Sequence, residues 1–388
     1  MKKIFTFIIV ITILFTNIAY ADGNIEDGLK SVLLGEYKSG EIVYNYNVDT
    51  PMEIASITKL MTYLVTMDLV SEGKVGLDDI VTVSQNASRV GGSSFNLKAG
   101  ERVKLSTLLD SILIVSGNDS CVAIAEYVAG TEEKFVEMMN KKAKDIGLKT
   151  ARFLNSSGLP EKDGQNMMST RDIFKLSRYV ISKYPKILNA TRMINLNVET
   201  RNFNKENTNS VLRKIPELDG LKTGYTDLAG YCLVSTLPVM QSSKNTENFR
   251  LIGIIMGAKS EEQRRNKTIE LLKYGIDNYE KRKIILKNQV IETIKVYGAK
   301  NENLDLLASK DYSTIVKKGA NISKDVEIKK DITAPVKKGE VIGKVTIYID
   351  NKKEEEIELI ASRTVYKANV FMRIFRYLMD LIGLIGEY

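Results

Sequence analysis

The sequence predicts an α+β fold in two parts: a sheet packed against helices, with a helical subregion inserted between its strands, and then a small β-rich domain. Three observations carry this. A strand-like alternation near the start is followed by many helical segments, then by two apolar strands and a closing helix. Beyond about Arg282 the texture changes to short strands and turns joined by polar connections. A chain of 388 residues, 44% hydrophobic and 27% charged, is also long enough to bury two cores and too apolar to be mainly disordered.

Taken in order, Ile42 to Val48 alternates as a strand does, and Asp49-Thr50-Pro51 breaks it. From Ala55 to Leu69 glycine and proline disappear, and Leu60, Met61, Leu64, Val65 and Met67 make a nearly all-round apolar surface, the pattern of a helix buried inside a core. Further helices are expected at Leu105–Ile114, Asp119–Val128, Thr131–Ile146 and Thr170–Ser182, the last opened by a serine cap ahead of an acidic first turn. Tyr231–Ser235 and Arg250–Met256 are apolar runs suited to the centre of a sheet, and Glu261–Tyr279 closes this part as a helix. In the β-rich part Lys344–Asp350 alternates cleanly, Asn351-Lys352-Lys353 supplies a turn, and Glu356–Ile360 returns. Val316-Lys317-Lys318-Gly319 recurs as Val336-Lys337-Lys338-Gly339, two similar turns rather than a repeat architecture.

Both ends carry addressing signals. Lys2 and Lys3 precede an uncharged, mostly apolar run from Ile4 that ends in Ala19-Tyr20-Ala21, the small-x-small pattern of a cleaved export signal over residues 1–21. An uncleaved anchor is the alternative, since the run is about as long as the ~18 residues of a short membrane span. At the other end, residues 366–388 set Val370, Phe371, Ile374, Phe375, Leu378, Leu381, Ile382 and Ile385 on one stripe, with Lys367, Arg373, Arg376 and Asp380 elsewhere. That pattern predicts an amphipathic helix lying on a membrane surface; docking on the β-rich domain is its alternative. The expected division is a signal peptide over 1–21, a sheet-and-helix domain over 22–282, a β-rich domain over 283–365 and the terminal helix over 366–388.

Composition removes whole classes of chemistry. There is no histidine, which excludes Ser-His-Asp triads, Cys-His dyads and imidazole-bound metal. Proton transfer must fall to lysine, carboxylate, tyrosine or water. The net charge of +8, without an arginine and aromatic cluster, gives nucleic-acid binding little support and suits an anionic polymer or lipid surface. Cys121 and Cys232 are the only cysteines and read as buried free thiols, with a disulfide between them as the alternative.

Without histidine, a serine can be activated by lysine, and Ser56-Ile57-Thr58-Lys59 offers both at the foot of the buried helix. Residues three apart share a helical face, so the amine can reach the hydroxyl. An ordinary lysine titrates near 10.4 and is no base at neutral pH, so Lys59 must be desolvated or lie beside a second cation. The spacing alone is weak: Ser71-Glu72-Gly73-Lys74 has it too, in a polar turn. Ser-x-Asn is weaker still, at Ser84, Ser94, Ser116 and Ser243, while Lys222-Thr223-Gly224 is followed by Tyr225 and a strand signal. The ordered set is what is specific: Ser56-x-x-Lys59, then Ser116-Gly117-Asn118, then Lys222-Thr223-Gly224.

On these residues the chain resembles the low-molecular-weight penicillin-binding proteins, the serine-type D-alanyl-D-alanine carboxypeptidases. The likeness extends to Ile54–Thr62, Ile114–Asp119, Asn155-Ser156-Ser157-Gly158-Leu159 and Asp219–Thr226, and runs the length of the chain. It implies a penicillin-binding-protein/β-lactamase-like domain, an antiparallel sheet packed against helices plus an all-helical subregion, followed by the β-rich domain. It also implies Ser56 as nucleophile, Lys59 as its base and Ser116 as proton relay. Asn118, Lys222, Thr223 and Gly224 would bind substrate, with Lys222 lowering the basicity of Lys59 and Thr223 meeting the terminal carboxylate. The backbone N–H groups of Ser56 and Tyr225 would form the oxyanion hole. The substrates implied are peptidoglycan stem peptides, with β-lactams as covalent inhibitors, on the outer face of the cytoplasmic membrane. No metal or cofactor is implied.

Two departures stand out. Tyr225 occupies a place where many relatives have histidine, and the family's additional arginine near the carboxylate has no match; the corresponding stretch is Asn207-Thr208-Asn209. Two alternatives remain. A β-lactamase would need the glutamate of a Glu-x-x-Leu-Asn segment, where this chain has Ala151 ahead of Leu154-Asn155. A non-catalytic wall-binding scaffold would have no reason to keep both lysines and both serines.

Overall fold

The computed structural model describes residues 24–371 together with Ile374 and Leu378, so the expected signal peptide and most of the terminal helix lie outside the described residues. Strands β1 (Ser31–Glu36), β2 (Ile42–Tyr46), β3 (Gly220–Thr226), β4 (Gly230–Val239) and β5 (Phe249–Ala258) form one antiparallel sheet in the order β2-β1-β5-β4-β3. Helices α1 (Lys59–Ser71), α2 (Leu105–Ile114), α3 (Asn118–Ala129), α4 (Glu132–Asp145) and α5 (Thr170–Lys183) fall between β2 and β3 in sequence, and α6 (Glu261–Asn278) follows β5. The sheet divides the core: one cluster joins its inner face to α1, α2, α3 and α5, the other joins its outer face to α6. This is the α+β arrangement the order of elements predicts.

The predicted buried helix begins differently from expectation. Ala55–Thr58 is a 3-10 turn, and the α-helix starts only at Lys59. Ala55 takes a positive φ of 46°, which an α-helix cannot contain. The consequence is useful, because residues three apart eclipse in a 3-10 turn and Lys59 comes under Ser56. The rest of α1 is buried almost throughout, as its all-round apolar pattern requires.

Strand β1 was not foreseen. All six of its residues are buried, so it lacks the alternation that marks a half-exposed strand, and Gly35 and Glu36 interrupt its apolar run.

In the second part, β7 (Val290–Lys295), β8 (Asn303–Ala308), β10 (Ile322–Ile328), β11 (Val341–Ile349) and β12 (Lys352–Ala361) make a sheet in the order β7-β8-β12-β11-β10 over its own apolar core. The turn between β11 and β12 is Asp350-Asn351, two residues with φ of 48° and 67°, rather than Asn351–Lys353. Positive φ at both central residues is the signature of a type I′ hairpin, whose twist matches that of the strands. Strand β6 (Tyr279–Ile285) runs across position 282 and pairs with β9 (Tyr312–Lys317) on one side and with Thr246–Glu247, between β4 and β5, on the other. A strand of the first part is thereby hydrogen-bonded into the second. Beyond it, Val370, Phe371, Ile374 and Leu378 are exposed and helical. No helix among the described residues is long and apolar enough to cross a membrane.

Candidate active site

The 3-10 turn sets Ser56 against a cleft of about 410 Å³, also lined by Ser116, Thr223, Tyr225 and Arg264. Lys59 lies beneath it with no exposed surface. Its Nζ is 2.8 Å from Ser56 Oγ, 2.7 Å from Asn118 Oδ1 and 2.7 Å from the carbonyl of Ser157. Burial pushes the amine below the ordinary lysine range. The sequence offered two routes to that depression, desolvation or a neighbouring cation, and here desolvation is the dominant one.

Asn118 and Ser116 come from the break between α2 and α3. Ser116 has a φ of 62°, and the α-helix resumes at Asn118. Asn118 Nδ2 donates to the carbonyl of Gly91 at 2.8 Å, which fixes the amide so that its oxygen faces Lys59. Ser116 Oγ lies 3.0 Å from Lys222 Nζ.

Lys222, Thr223 and Gly224 lie on β3, at the edge of the sheet that borders the cleft. Lys222 is buried, and its Nζ also donates to the carbonyl of Thr223 at 2.9 Å. Burial depresses its basicity strongly, and the nearby Lys59 amine makes a second positive charge there costlier still. A Cβ on Gly224 would come within 3.0 Å of the Ile54 carbonyl and 3.3 Å of the Ser56 nitrogen, so glycine lets β3 run directly beside the turn that carries Ser56. Tyr225 is half exposed; its hydroxyl donates to Asp227 at 2.9 Å and its ring stacks 4.3 Å from that of Tyr231.

The other triplet matches are accounted for elsewhere. Ser71 and Lys74 sit at the end of α1, where Lys74 pairs with Glu72 in solvent. Ser84 caps a short helix, Ser94 bonds to Asp119, and Ser243 lies in a turn. Both cysteines are free and buried, and burial pushes the Cys121 thiol up to about 12 and the Cys232 thiol up to about 11.

Sequence reasoning missed Arg264. It stands on α6 in register with Thr268, Leu271, Leu272 and Gly275, the buried stripe of that helix. A charge on a core stripe was the available signal. Arg264 lines the cleft, and its guanidinium donates to the Thr208 carbonyl at 3.3 Å, lies 3.9 Å from Glu261 and stands 5.8 Å from the centre of the Tyr231 ring. Burial lowers its pKa. The Asn207-Thr208-Asn209 stretch holds no arginine and places the Thr208 hydroxyl 2.6 Å from that of Thr223, while the arginine that lines this part of the cleft comes from α6. Among the described residues no cluster of carboxylates and thiols is arranged to hold a metal ion.

Residues 21–260 match the D-alanyl-D-alanine carboxypeptidase family of peptidases, and residues 279–367 match the C-terminal domain of penicillin-binding protein 5. The chain belongs to the D-alanyl-D-alanine carboxypeptidase family. It is 33% identical over 357 residues to the D-alanyl-D-alanine carboxypeptidase DacF of Bacillus subtilis, covering 90% of this chain and 89% of that one. With DacC of Escherichia coli it shares 31% over 360 residues, 89% and 86% of the two chains. Among solved structures, penicillin-binding protein 5 of Haemophilus influenzae superposes with a TM-score of 0.70 at 30% identity, over 88% of this chain and 98% of that one. Penicillin-binding protein D2 of Listeria monocytogenes, solved with ampicillin bound, covers 64% of this chain and 97% of its own at a TM-score of 0.57 and 28% identity. The carboxypeptidase is thus a serine-type peptide hydrolase and a penicillin-binding protein.

Proposed function

We propose that the carboxypeptidase removes the terminal D-alanine of peptidoglycan stem pentapeptides through an acyl-enzyme on Ser56. The observation that carries this is the 2.8 Å contact between Ser56 Oγ and a lysine amine wholly shielded from water. Lys59 takes the hydroxyl proton as Oγ bonds to the carbonyl carbon between the two D-alanines. The resulting oxyanion is met by the backbone N–H groups of Ser56 and Tyr225, each donor contributing about 3 kcal/mol. The C–N bond then breaks, and the proton that Lys59 took passes to the leaving amine by way of Ser116, whose hydroxyl is held by Lys222, so Lys59 is neutral again. Water attacks the ester with Lys59 again as base, and the C–Oγ bond breaks to restore Ser56. Asn118 holds the substrate amide. Thr223 and Gly224 receive the terminal carboxylate with Lys222 as a hydrogen-bond donor beside them, and Arg264 supplies the cation at that end.

A β-lactam presents a strained amide to the same serine, so it acylates Ser56 and stays, because Ala151 offers no carboxylate at the position where a β-lactamase activates its water. On this reading residues 22–282 perform catalysis and 283–365 form the β-rich domain. An export signal over 1–21 delivers the enzyme to the outer face of the cytoplasmic membrane, where residues 366–388 rest on the lipid surface. The exposed Val370, Phe371, Ile374 and Leu378 support that last step. Release of D-alanine from a pentapeptide, read by mass spectrometry for wild type and Ser56→Ala, tests the reaction. Loss in the variant is expected, and equal rates would remove the nucleophile.

A further inference from the structure

The segment Asn155-Ser156-Ser157-Gly158 has no part in the reaction as described, yet its backbone reaches the centre of the site. We propose that Asn155 and Asn166 are positioning residues for Lys59: by holding the Ser157 carbonyl on Nζ they aim the lone pair of the neutral amine at the Ser56 hydroxyl. The inference rests on the reading of Ser56 as nucleophile and Lys59 as base.

The argument is one of valence. A neutral amine has two N–H donors and one lone pair, and Lys59 has three partners. The Ser157 carbonyl can only accept, and Asn118 Oδ1 can only accept. Those two oxygens consume both N–H groups, leaving the lone pair for the one partner that owns a proton, Ser56 Oγ. After transfer the ammonium has three N–H groups for the same three oxygens, so the site needs no rearrangement between the two protonation states. Were the Ser157 carbonyl to turn away, one N–H would be free to point at Ser56 and the lone pair would point elsewhere.

The carbonyl is held by a closed set of side-chain bonds. Asn155 Oδ1 accepts from the Gly158 amide at 2.7 Å and the Ser157 amide at 3.2 Å, while its Nδ2 donates to the Leu159 carbonyl at 2.8 Å and to Glu161 at 2.9 Å. Asn166, with no exposed surface, accepts from the Leu154 amide at 2.7 Å and donates to the Asn155 carbonyl at 2.9 Å. The same Nδ2 donates to Thr58 Oγ1 at 3.0 Å. Thr58 lies between Ser56 and Lys59 in sequence, so Asn166 ties the turn that carries the acceptor to the turn that carries the nucleophile.

The test separates chemistry from binding. For a fluorescent penicillin, the noncovalent dissociation constant and the acylation rate constant are measured on the full chain for wild type, Asn166→Ala and Thr58→Val. Thr58→Val keeps the side-chain shape and removes the hydroxyl that accepts from Asn166, so it remains informative if Asn166→Ala does not fold. The acylation constant is expected to fall about tenfold in Thr58→Val and about a hundredfold in Asn166→Ala, the scale of a misdirected reacting group. The dissociation constant should not move. An unchanged acylation constant in a folded variant, or a loss confined to noncovalent binding, overturns the inference. Ser56→Ala run alongside distinguishes the two readings: label on that variant removes the nucleophile itself, whereas no label there with unaltered Thr58→Val removes the positioning role alone.

Discussion

Lys222 Nζ stands 3.0 Å from Ser116 Oγ, joining the sheet-edge strand β3 to the break between α2 and α3 across the cleft. In the proposed mechanism the contact puts a second amine on the leaving-group side, while Lys59 serves the nucleophile, so that two lysines divide the work that histidine does in other serine hydrolases.

Replacing Lys222 by alanine is expected to lower the rate of acylation by a labelled penicillin about a hundredfold, the scale of losing one preorganised charge or donor. Protein melting, followed in parallel, should change little or rise, because a desolvated amine is removed from a buried position.

Arg264→Ala is expected to weaken binding of a peptide ending in a free carboxylate by about tenfold to a hundredfold, the worth of a hydrogen bond to a charged group. The same peptide with an amidated terminus should lose much less. Michaelis constants for the two peptides, in wild type and variant, provide the check.

Gly158→Ala should fold poorly and lose acylation. Its φ is 87°, and a Cβ there would lie 1.9 Å from the Ala55 carbonyl, within backbone that cannot give way. Overpacking and left-handed strain together amount to about 3 kcal/mol. Urea unfolding measures the first effect and penicillin labelling the second.

Asp110, half-buried on α2, has its carboxyl pushed up to about 6 by desolvation. The charged form is therefore penalised in the fold. Well below the ordinary value of about 3.9 the group is protonated whether folded or unfolded, and the penalty is absent; it grows as pH rises from there to about 6 and is complete above that. Asp110→Asn is expected to stabilise the protein by about 1–2 kcal/mol at pH 7, after allowing for solvent screening, and by little near pH 3.5. Denaturant midpoints at the two pH values decide it.

Much of this was legible before any coordinates, for a physical reason. Leu105–Ile114 announces itself through periodicity and Thr170–Lys183 through its Ser169 cap as well, all local properties. The Ser56, Ser116 and Lys222 triplets are legible because their order and context are specific even where each spacing is common. What escaped was non-local. Strand β1 is buried on both faces and so carries no alternation, and Arg264 belongs to the site only because α6 packs its core stripe against the sheet beside the cleft. Asn166 looks like an ordinary loop residue, and its bonds to Thr58 and Asn155 exist only in the folded chain.

The pH dependence of Ser56 acylation by a labelled penicillin tests the central claim, that the buried Lys59 amine is uncharged when ordinary lysines are not. Burial lowers its native pKa, so the reactive form is gained as pH rises through a value below the ordinary lysine one. The rate is expected to reach half its maximum at a pH below that of an ordinary lysine, about 10.4, and to vanish in Lys59→Met. A rate that climbs to half its maximum only at that pH or above, or label that persists in Lys59→Met, would contradict it.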